Sequence, residues 1–108
     1  MFTLALDCST KATGYAIFQD KTLIKSGCIT ASSTDLYARI HKMIDGINAL
    51  LAENTIDKIV MEEVIPDPTK NNSTYKALSW LQGNLVMAIH DFSAKIEISF
   101  IYPGSWRS

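Results

Sequence analysis

A long helical pattern lies between two strand patterns, and this arrangement restricts the chain to a small set of folds. Apolar residues recur at steps of three and four between Leu36 and Leu51, which predicts a helix with one apolar stripe. Residues 2–7 alternate apolar with small or polar side chains, and residues 56–62 (IDKIVME) contain a short apolar run at residues 59–61, so each predicts a strand. Strands joined through a helical crossover are parallel neighbours, so we expect an α/β fold with a partly parallel sheet.

Four further patterns complete the predicted order β-β-β-α-β-α-β. Residues 14–19 and 22–30 predict strands that follow the first through short polar links, and such links are typical of an antiparallel meander. A second helix is expected over residues 73–92 and a fifth strand over residues 96–102. We therefore predict a mixed five-stranded sheet, with three antiparallel strands followed by two parallel ones, in a single domain over residues 1–108.

Four details of these elements follow from single residues. Gly27 inside the third strand indicates a bulge or a close backbone contact. Ser32 and Asp35 fit a capping box at the start of the first helix. Gly83 lies inside the second helix, where glycine costs about 1 kcal/mol relative to alanine, so we expect it to allow close packing. Phe92 continues the apolar stripe of the second helix and is expected to point inward.

Composition and charge exclude several classes of protein. Ten basic and eleven acidic residues give a net charge near −1, which provides no overall attraction to nucleic acid but leaves room for a local basic groove. No apolar run of about 18 residues occurs, so no transmembrane helix is expected. The first three residues lack the basic start of a secretion signal. We expect a cytoplasmic protein whose two cysteines, Cys8 and Cys28, are reduced and partly buried.

Two carboxylates end strands that are predicted to be neighbours. Asp7 ends the first strand, and Glu62 ends the fourth with Glu63 directly after it. Carboxylates on adjacent strands, about 4.8 Å apart, repel each other unless a cation lies between them. Mg²⁺ suits such oxygen ligands, and two ions about 3.5–4 Å apart can hold a phosphodiester for attack by water. Strand alternation lets only one of Glu62 and Glu63 share the face of Asp7.

Plain structural roles compete with this interpretation. An aspartate at the end of a strand often initiates a turn by accepting hydrogen bonds from its own backbone, and Asp7 fits that role. Glu62 and Glu63 fit the solvated end of a strand. The surrounding sequence is needed to choose between a structural and a catalytic role.

Four segments resemble motifs of one nuclease family. The segment DCSTKATGYAIF, residues 7–18, is similar to the aspartate, short turn and Thr-Gly-Tyr of the RuvC-type Holliday junction resolvases, especially their phage-like members. IVMEEV resembles the family's apolar strand that ends in a glutamate, and NNSTYKALSWLQGNLVMAI resembles the helix that follows. YPGSWR is similar to a later segment with proline and Trp-Arg. The resemblance covers nearly the whole chain and implies the ribonuclease H-like fold.

This resemblance also implies an activity and the residues that carry it. RuvC-type resolvases are Mg²⁺-dependent endonucleases that nick four-way DNA junctions as homodimers, so branched DNA and a second copy of the chain are the implied partners. Asp7 and Glu62 stand at the positions of catalytic metal ligands, with two Mg²⁺ ions, or Mn²⁺ in their place, as the implied cofactor. Trp80, Asn84 and Met87 lie on the helix that contributes to the family's dimer.

The chain departs from the family in one respect. The family has further acidic ligands on a C-terminal helix, and neither Asp91 nor Glu97 lies at a matching place. No helix follows the fifth strand before Ser108, although a parallel sheet normally has both faces covered. We therefore expect a domain that lacks its C-terminal part and cleaves junctions poorly or not at all.

Basic and amide side chains cluster near the predicted carboxylate edge. Lys11 lies in the first turn, and Lys70, Asn72 and Lys76 lie around the start of the second helix. A DNA backbone near the carboxylates needs cations to neutralise its phosphates, so these four residues are the predicted DNA contacts. Solvated surface positions are the structural alternative for the lysines.

Two other functions compete with a junction nuclease. Sugar kinases and actin-like ATPases begin with a similar strand, aspartate and turn, but they usually need a glycine two residues after the aspartate, where this chain has Ser9. A non-catalytic module that binds nucleic acid or assembles with other proteins is the second alternative. The missing acidic helix favours that module, whereas the presence of Asp7 and Glu62 does not.

Overall fold

The alternating and three-to-four patterns form the strands and helices that they predict. The computed structural model describes residues 1–65 and 72–102. The elements in those residues are β1 (Phe2–Asp7), β2 (Ala12–Gln19), β3 (Thr22–Thr30), α1 (Leu36–Glu53), β4 (Lys58–Glu62), α2 (Asn72–Phe92) and β5 (Glu97–Ile101). Their order is the predicted β-β-β-α-β-α-β.

One mixed sheet contains these five strands in the order β3-β2-β1-β4-β5. β2 is antiparallel to both β1 and β3, whereas β4 is parallel to both β1 and β5. The predicted meander and the predicted parallel neighbours are therefore confirmed. The sheet places the ends of β1 and β4 side by side at one edge.

One side of the sheet, which we call the helix face, packs against both helices. Leu4 and Leu6 of β1 are the register partners of Ile59 and Met61 of β4, and all four side chains are buried. They form a single core cluster with buried residues of α1 and α2. Burying an aliphatic side chain of this size contributes about 1.5–3 kcal/mol, so this cluster is the main source of stability.

The opposite side of the sheet, which we call the open face, carries the alternate residues of each strand. Its central positions hold small or polar side chains, and all of them are half-buried or exposed. Neither α1 nor α2 packs on this face, because their buried residues belong to the core cluster on the helix face. The residues at its centre are Ala5, Asp7, Gly14, Ala16, Val60 and Glu62.

Three expectations about the helices are wrong. Asp35, rather than Ser32, caps α1, and its carboxylate accepts a hydrogen bond from the Tyr37 amide at 3.1 Å. Gly83 is exposed, and no atom lies within 4 Å of the place where a Cβ would be, so packing does not require glycine there. Phe92 is half exposed because it lies beyond the last buried residue of α2.

Two other glycines do allow close packing. At Gly46 of α1, a Cβ would lie 2.8 Å from the side chain of Ile29, so the helix approaches β3 closely. At Gly27, a Cβ would lie 2.5 Å from the hydroxyl oxygen of Tyr15, so the close neighbour there is a side chain and not another backbone. The irregularity in the pairing of β2 with β3 lies elsewhere, between Ile17 and Phe18.

Asp57 connects the three parallel strands where they begin. Its carboxylate accepts a hydrogen bond from the Phe2 amide at 2.8 Å, and its own amide donates to the Phe2 carbonyl at 2.9 Å. Its carbonyl accepts a bond from the Glu97 amide at 3.2 Å. Asp57 therefore aligns β1, β4 and β5 at the edge opposite to Asp7 and Glu62.

Candidate active site

The pairing of β1 with β4 brings Asp7 and Glu62 to the same edge of the sheet. Leu6 and Met61 are register partners, so the next residue on each strand places Asp7 beside Glu62. Leu6 and Met61 point into the helix face, and side chains alternate along a strand, so both carboxylates belong to the open face. Adjacent strands lie about 4.8 Å apart. Asp7 is exposed and Glu62 is half-buried, which leaves both accessible to solvent.

The register distinguishes Glu62 from its neighbour Glu63. The Glu63 amide donates to the Ile101 carbonyl at 2.7 Å, so the strand geometry continues through this residue. Alternation then turns the Glu63 side chain away from the face that carries Asp7. Of the two glutamates, Glu62 is the one that can share a ligand with Asp7.

The turn after Asp7 is held by hydroxyl groups rather than by the Asp7 carboxylate. The Ser9 amide donates to the Thr13 hydroxyl oxygen at 3.1 Å, and that hydroxyl donates to the Ser9 carbonyl at 2.7 Å. The Lys11 amide donates to the Ser9 hydroxyl oxygen at 3.3 Å. Thr13 is fully buried, so this arrangement is shielded from water. Within the described residues, the Asp7 carboxylate takes part in none of these bonds and is available to a ligand.

A polar cavity of about 440 Å³ opens next to this turn. Two cations, Lys11 and Arg39, contribute to its lining, and none of its described lining residues is acidic. The Arg39 guanidinium is held in place, since Nε donates to the Thr10 hydroxyl at 3.4 Å and Nη1 donates to the Ser33 carbonyl at 3.1 Å. The lining residues are Cys8, Ser9, Thr10, Lys11, Leu36, Arg39, Ser73, Thr74, Ala77 and Leu78.

Arg39 is a candidate residue that the sequence interpretation missed. It lies three residues after Leu36 and four before Met43, which places it in the sector of α1 that carries the apolar stripe. A charged residue in that sector is unusual unless it has a polar partner. A charged residue within the apolar stripe of a predicted helix is therefore the sequence signal that can identify Arg39 as a candidate site residue.

The four predicted DNA contacts do not all lie at the same place in the structure. Lys11 lines the cavity, and Asn72 and Lys76 are exposed on the first turns of α2 without belonging to that lining. Lys70 lies outside the described residues. The cavity therefore brings Lys11 together with Arg39, and α2 carries two of the others nearby.

The surroundings of Cys8 indicate a packing role for this residue. It is half-buried against the core, and burial raises the pKa of its thiol from 9.0 to about 11. A hydrogen bond with the Gln82 side chain acts in the opposite direction, and the charge of Asp7 raises the pKa slightly further. Cys28 is exposed, so the expected partial burial is wrong for this residue, and both cysteines are free. A buried thiol with a high pKa is unreactive, as expected for a packing residue.

The donor set fits a hard cation held by few protein ligands. No group of three or more His, Cys, Asp or Glu side chains that can hold a metal ion occurs in residues 1–65 and 72–102. Asp7 and Glu62 supply two carboxylates, and Mg²⁺ commonly binds through one or two carboxylates while it keeps several waters. The pair therefore suits Mg²⁺ or Mn²⁺ better than zinc, which favours several nitrogen or sulfur ligands.

A second surface lies where α1 and α2 meet. The rings of Tyr37 and Trp80 stack with centroids 6.2 Å apart and planes inclined by 14°. Both are exposed, and with His41 and Asn84 they border a cavity of about 170 Å³. Met87 is also exposed on α2. Trp80, Asn84 and Met87, which the resemblance associates with a dimer, are thus accessible on one helix.

Comparison with known proteins identifies the family of this chain. The family model described as Crossover junction endodeoxyribonuclease RuvC matches residues 3–104. The chain belongs to the RuvC family. The Crossover junction endodeoxyribonuclease RuvC of Shewanella sediminis is 28% identical in an alignment of 89 positions that covers 79% of this chain and 50% of that protein. The chain thus spans half the length of this RuvC relative.

Solved structures share the fold of this RuvC-family chain. A structure described as T. thermophilus RuvC in complex with Holliday junction substrate matches with a TM-score of 0.79 and 14% identity, over 95% of this chain and 65% of that one. RNase H1 from the archaeon Halobacterium salinarum matches with a TM-score of 0.50 and 14% identity, over 94% and 83% of the two chains. The predicted ribonuclease H-like fold and the predicted family are both confirmed.

Membership in the RuvC family also bears on the alternative families. The match over residues 3–104 is to the RuvC family, and not to the sugar kinases or actin-like ATPases that begin with a similar strand and turn. Neither α1 nor α2, the helices that the structure describes, is long and apolar enough to cross a membrane.

Proposed function

We propose that this chain carries the nuclease core of a RuvC-family resolvase and acts on four-way DNA junctions by hydrolysing phosphodiester bonds. The observation that carries the proposal is the register of β1 and β4, which places Asp7 beside Glu62 on the open face. Family membership supplies the reaction class, since the matching family is named a crossover junction endodeoxyribonuclease.

Asp7 and Glu62 are the proposed ligands of Mg²⁺. When bound, the ion supplies a Lewis acid that lowers the pKa of water and stabilises negative charge on phosphate oxygens. The chain contributes two carboxylates whose mutual repulsion favours a cation between them. Gly14 is the β2 partner of Asp7, and a Cβ there would lie at an ordinary contact distance of 3.8 Å from the Asp7 Cβ.

The polar cavity is the proposed contact with the DNA backbone. Lys11 and the immobilised Arg39 present two positive charges close to the turn that follows Asp7. Arginine held by hydrogen bonds binds phosphate with little further ordering, so Arg39 is well suited to a backbone phosphate. Asn72 and Lys76 extend this surface along α2, and Lys70 remains a prediction. Such contacts position the strand without reading its sequence.

A second copy of the chain is the proposed partner on the outer surface of the helices. Trp80, Asn84 and Met87 lie on α2, and the stacked Tyr37 extends the same surface onto α1. Exposed large apolar side chains in one patch are typical of protein contacts. A dimer also matches the two strands that a junction resolvase has to cut.

A non-catalytic junction-binding module is the second candidate. It is favoured by the finding that only two carboxylates, Asp7 and Glu62, meet at the candidate site within the described residues. This candidate predicts junction binding that does not depend on either carboxylate. A metal titration separates the two functions.

The test measures Mn²⁺ binding and junction processing by the same purified chain. We expect Mn²⁺ to bind the wild type and to bind neither Asp7→Asn nor Glu62→Gln measurably, while Glu63→Gln behaves like the wild type. In a gel shift, the chain is expected to retard a four-way junction at a lower protein concentration than it needs to retard a linear duplex of the same sequence. Any nicking in Mg²⁺ or Mn²⁺ is expected to be slow and to stop in the Asp7→Asn variant.

Two results would contradict the proposal. Metal binding that persists unchanged in both Asp7→Asn and Glu62→Gln would show that these residues are not metal ligands. Equal affinity for junction and duplex would show that the chain does not recognise the junction. Junction binding without carboxylate-dependent metal binding would support the non-catalytic module.

A further inference from the structure

A buried amide lies directly behind the two carboxylates. Gln82 is only 7% exposed, and its neighbours on the inner side of α2, Leu81 and Leu85, are fully buried. A buried amide destabilises a protein unless its donors and acceptor are hydrogen-bonded. An apolar residue would suit this place in the core better, so the contacts of Gln82 need an explanation.

Gln82 contacts both strand ends that carry the carboxylates. Its Nε2 atom donates to the backbone carbonyl of Glu62 at 2.8 Å. The same side chain lies within interaction distance of the thiol of Cys8, the residue that follows Asp7. One side chain from α2 therefore connects the backbone of Glu62 with the immediate neighbour of Asp7.

These contacts begin where the backbone pairing stops. The last register pair of β1 with β4 is Leu6 with Met61, one residue before both carboxylates. Beyond that pair, the chain after Asp7 turns towards the polar cavity, and the Glu62 carbonyl takes a side-chain amide as its donor. Gln82 thus replaces the missing ladder bond between the two strand ends.

We propose that Gln82 is a positioning residue that sets the spacing of Asp7 and Glu62 and so tunes their affinity for a divalent cation. The proposal rests on the proposed role of these carboxylates as metal ligands. Gln82 itself touches neither the metal nor the substrate; it acts through the Glu62 backbone and Cys8. Residues that orient metal ligands from behind commonly change metal affinity about 10–100-fold when they are replaced.

The test compares two variants, each of which loses a side-chain amide that donates to a backbone carbonyl. Gln82→Met keeps the length of the side chain and removes its hydrogen bonds. Asn54→Leu is the matched control, because the Asn54 side-chain amide also donates to a backbone carbonyl, that of Leu50, at 2.9 Å, far from the carboxylates. Both variants are expected to lower the melting temperature, so stability alone does not distinguish them.

Mn²⁺ affinity distinguishes a positioning role from a purely structural one. We expect Gln82→Met to raise the Mn²⁺ dissociation constant about tenfold, measured by the loss of the free-ion paramagnetic resonance signal, and Asn54→Leu to leave it unchanged. Hydrogen exchange without metal provides a second measurement. In Gln82→Met, backbone amides in residues 7–10 and 62–64 are expected to exchange faster, while those at the starts of β1 and β4 are unchanged.

The outcomes separate this inference from the proposed function. If the wild type binds Mn²⁺, Asp7→Asn does not, and Gln82→Met binds as tightly as the wild type, the positioning role is wrong while the metal site stands. If Asp7→Asn does not weaken Mn²⁺ binding, both proposals fail. Should Gln82→Met not fold, Gln82→Asn keeps an amide but shortens the side chain so that it no longer reaches the Glu62 carbonyl, and a dissociation constant equal to that of the wild type would then contradict the inference.

Discussion

The helix face and the open face of the sheet differ in how deeply their side chains are buried. On the helix face, Leu6 and Met61 are fully packed, whereas their immediate successors, Asp7 and Glu62, belong to the open face and reach solvent. Strand alternation thus lets one short segment serve packing and chemistry at successive positions. Stability is therefore expected to respond to one face and metal binding to the other. Three pairs of substitutions test this division.

The largest expected contrast is between two leucines. Leu6 on the helix face is 2% exposed, and Leu23 on the open face is 54% exposed. We expect Leu6→Ala to lower the free energy of unfolding by about 2–5 kcal/mol because it leaves a cavity in the core. Leu23→Ala is expected to cost less than about 1 kcal/mol, and urea unfolding followed by circular dichroism measures both. Equal costs would mean that the open face is packed as tightly as the helix face.

Two glycines provide a smaller contrast. A Cβ on Gly27 would overlap the ring of Tyr15 on the helix face, whereas a Cβ on Gly14 would meet only the Asp7 Cβ at ordinary contact distance. We expect Gly27→Ala to lower the free energy of unfolding by about 1–2 kcal/mol, since Tyr15 has to move. Gly14→Ala is expected to be neutral or slightly stabilising, through loss of freedom in the unfolded chain. The melting temperature should therefore fall in Gly27→Ala and stay unchanged or rise slightly in Gly14→Ala, and equal shifts would contradict this prediction.

The two cysteines provide the smallest contrast, in pH dependence. Burial raises the pKa of Cys8 from 9.0 to about 11, so the folded state favours the neutral thiol. The stability that Cys8 contributes is complete below about pH 9 and is lost as the pH rises towards about 11, at up to about 1 kcal/mol per pH unit. We expect the metal-free wild type to lose more stability over this range than Cys8→Ala does. Cys28→Ala, on the open face, is the control and should lose as much as the wild type; a wild type and Cys8→Ala with the same pH dependence would contradict the effect.

Regular patterns explain why so much of the fold is predictable from the sequence. The alternation in residues 2–7 and the three-and-four spacing of α1 specify element types, and the crossover then makes β1 and β4 parallel. Because β1 and β4 are parallel neighbours, the residues that end them, Asp7 and Glu62, are predicted to lie side by side at one edge of the sheet. The prediction succeeds because each step depends on a repeat that extends over several residues.

Single polar and glycine residues are less predictable, because their roles depend on what faces them. Ser32 and Asp35 are both good capping residues, and only the path of the chain before α1 selects Asp35. Gly83 faces solvent, whereas Gly46 faces Ile29, and no local signal in Gly83 reveals this difference. Arg39 and Gln82 are similar cases, since each is a polar residue in a buried sector whose partners come from distant segments.

The bonds of Asp57 have a consequence for how this scaffold can diversify. The three parallel strands are clamped together at their starting ends, remote from Asp7 and Glu62, so their mutual alignment does not rely on the loop that follows the first strand. Residues in that loop can be exchanged or lengthened while the framework beneath them stays in register. Evolution, or an engineer, therefore has latitude to change that loop without rebuilding the domain.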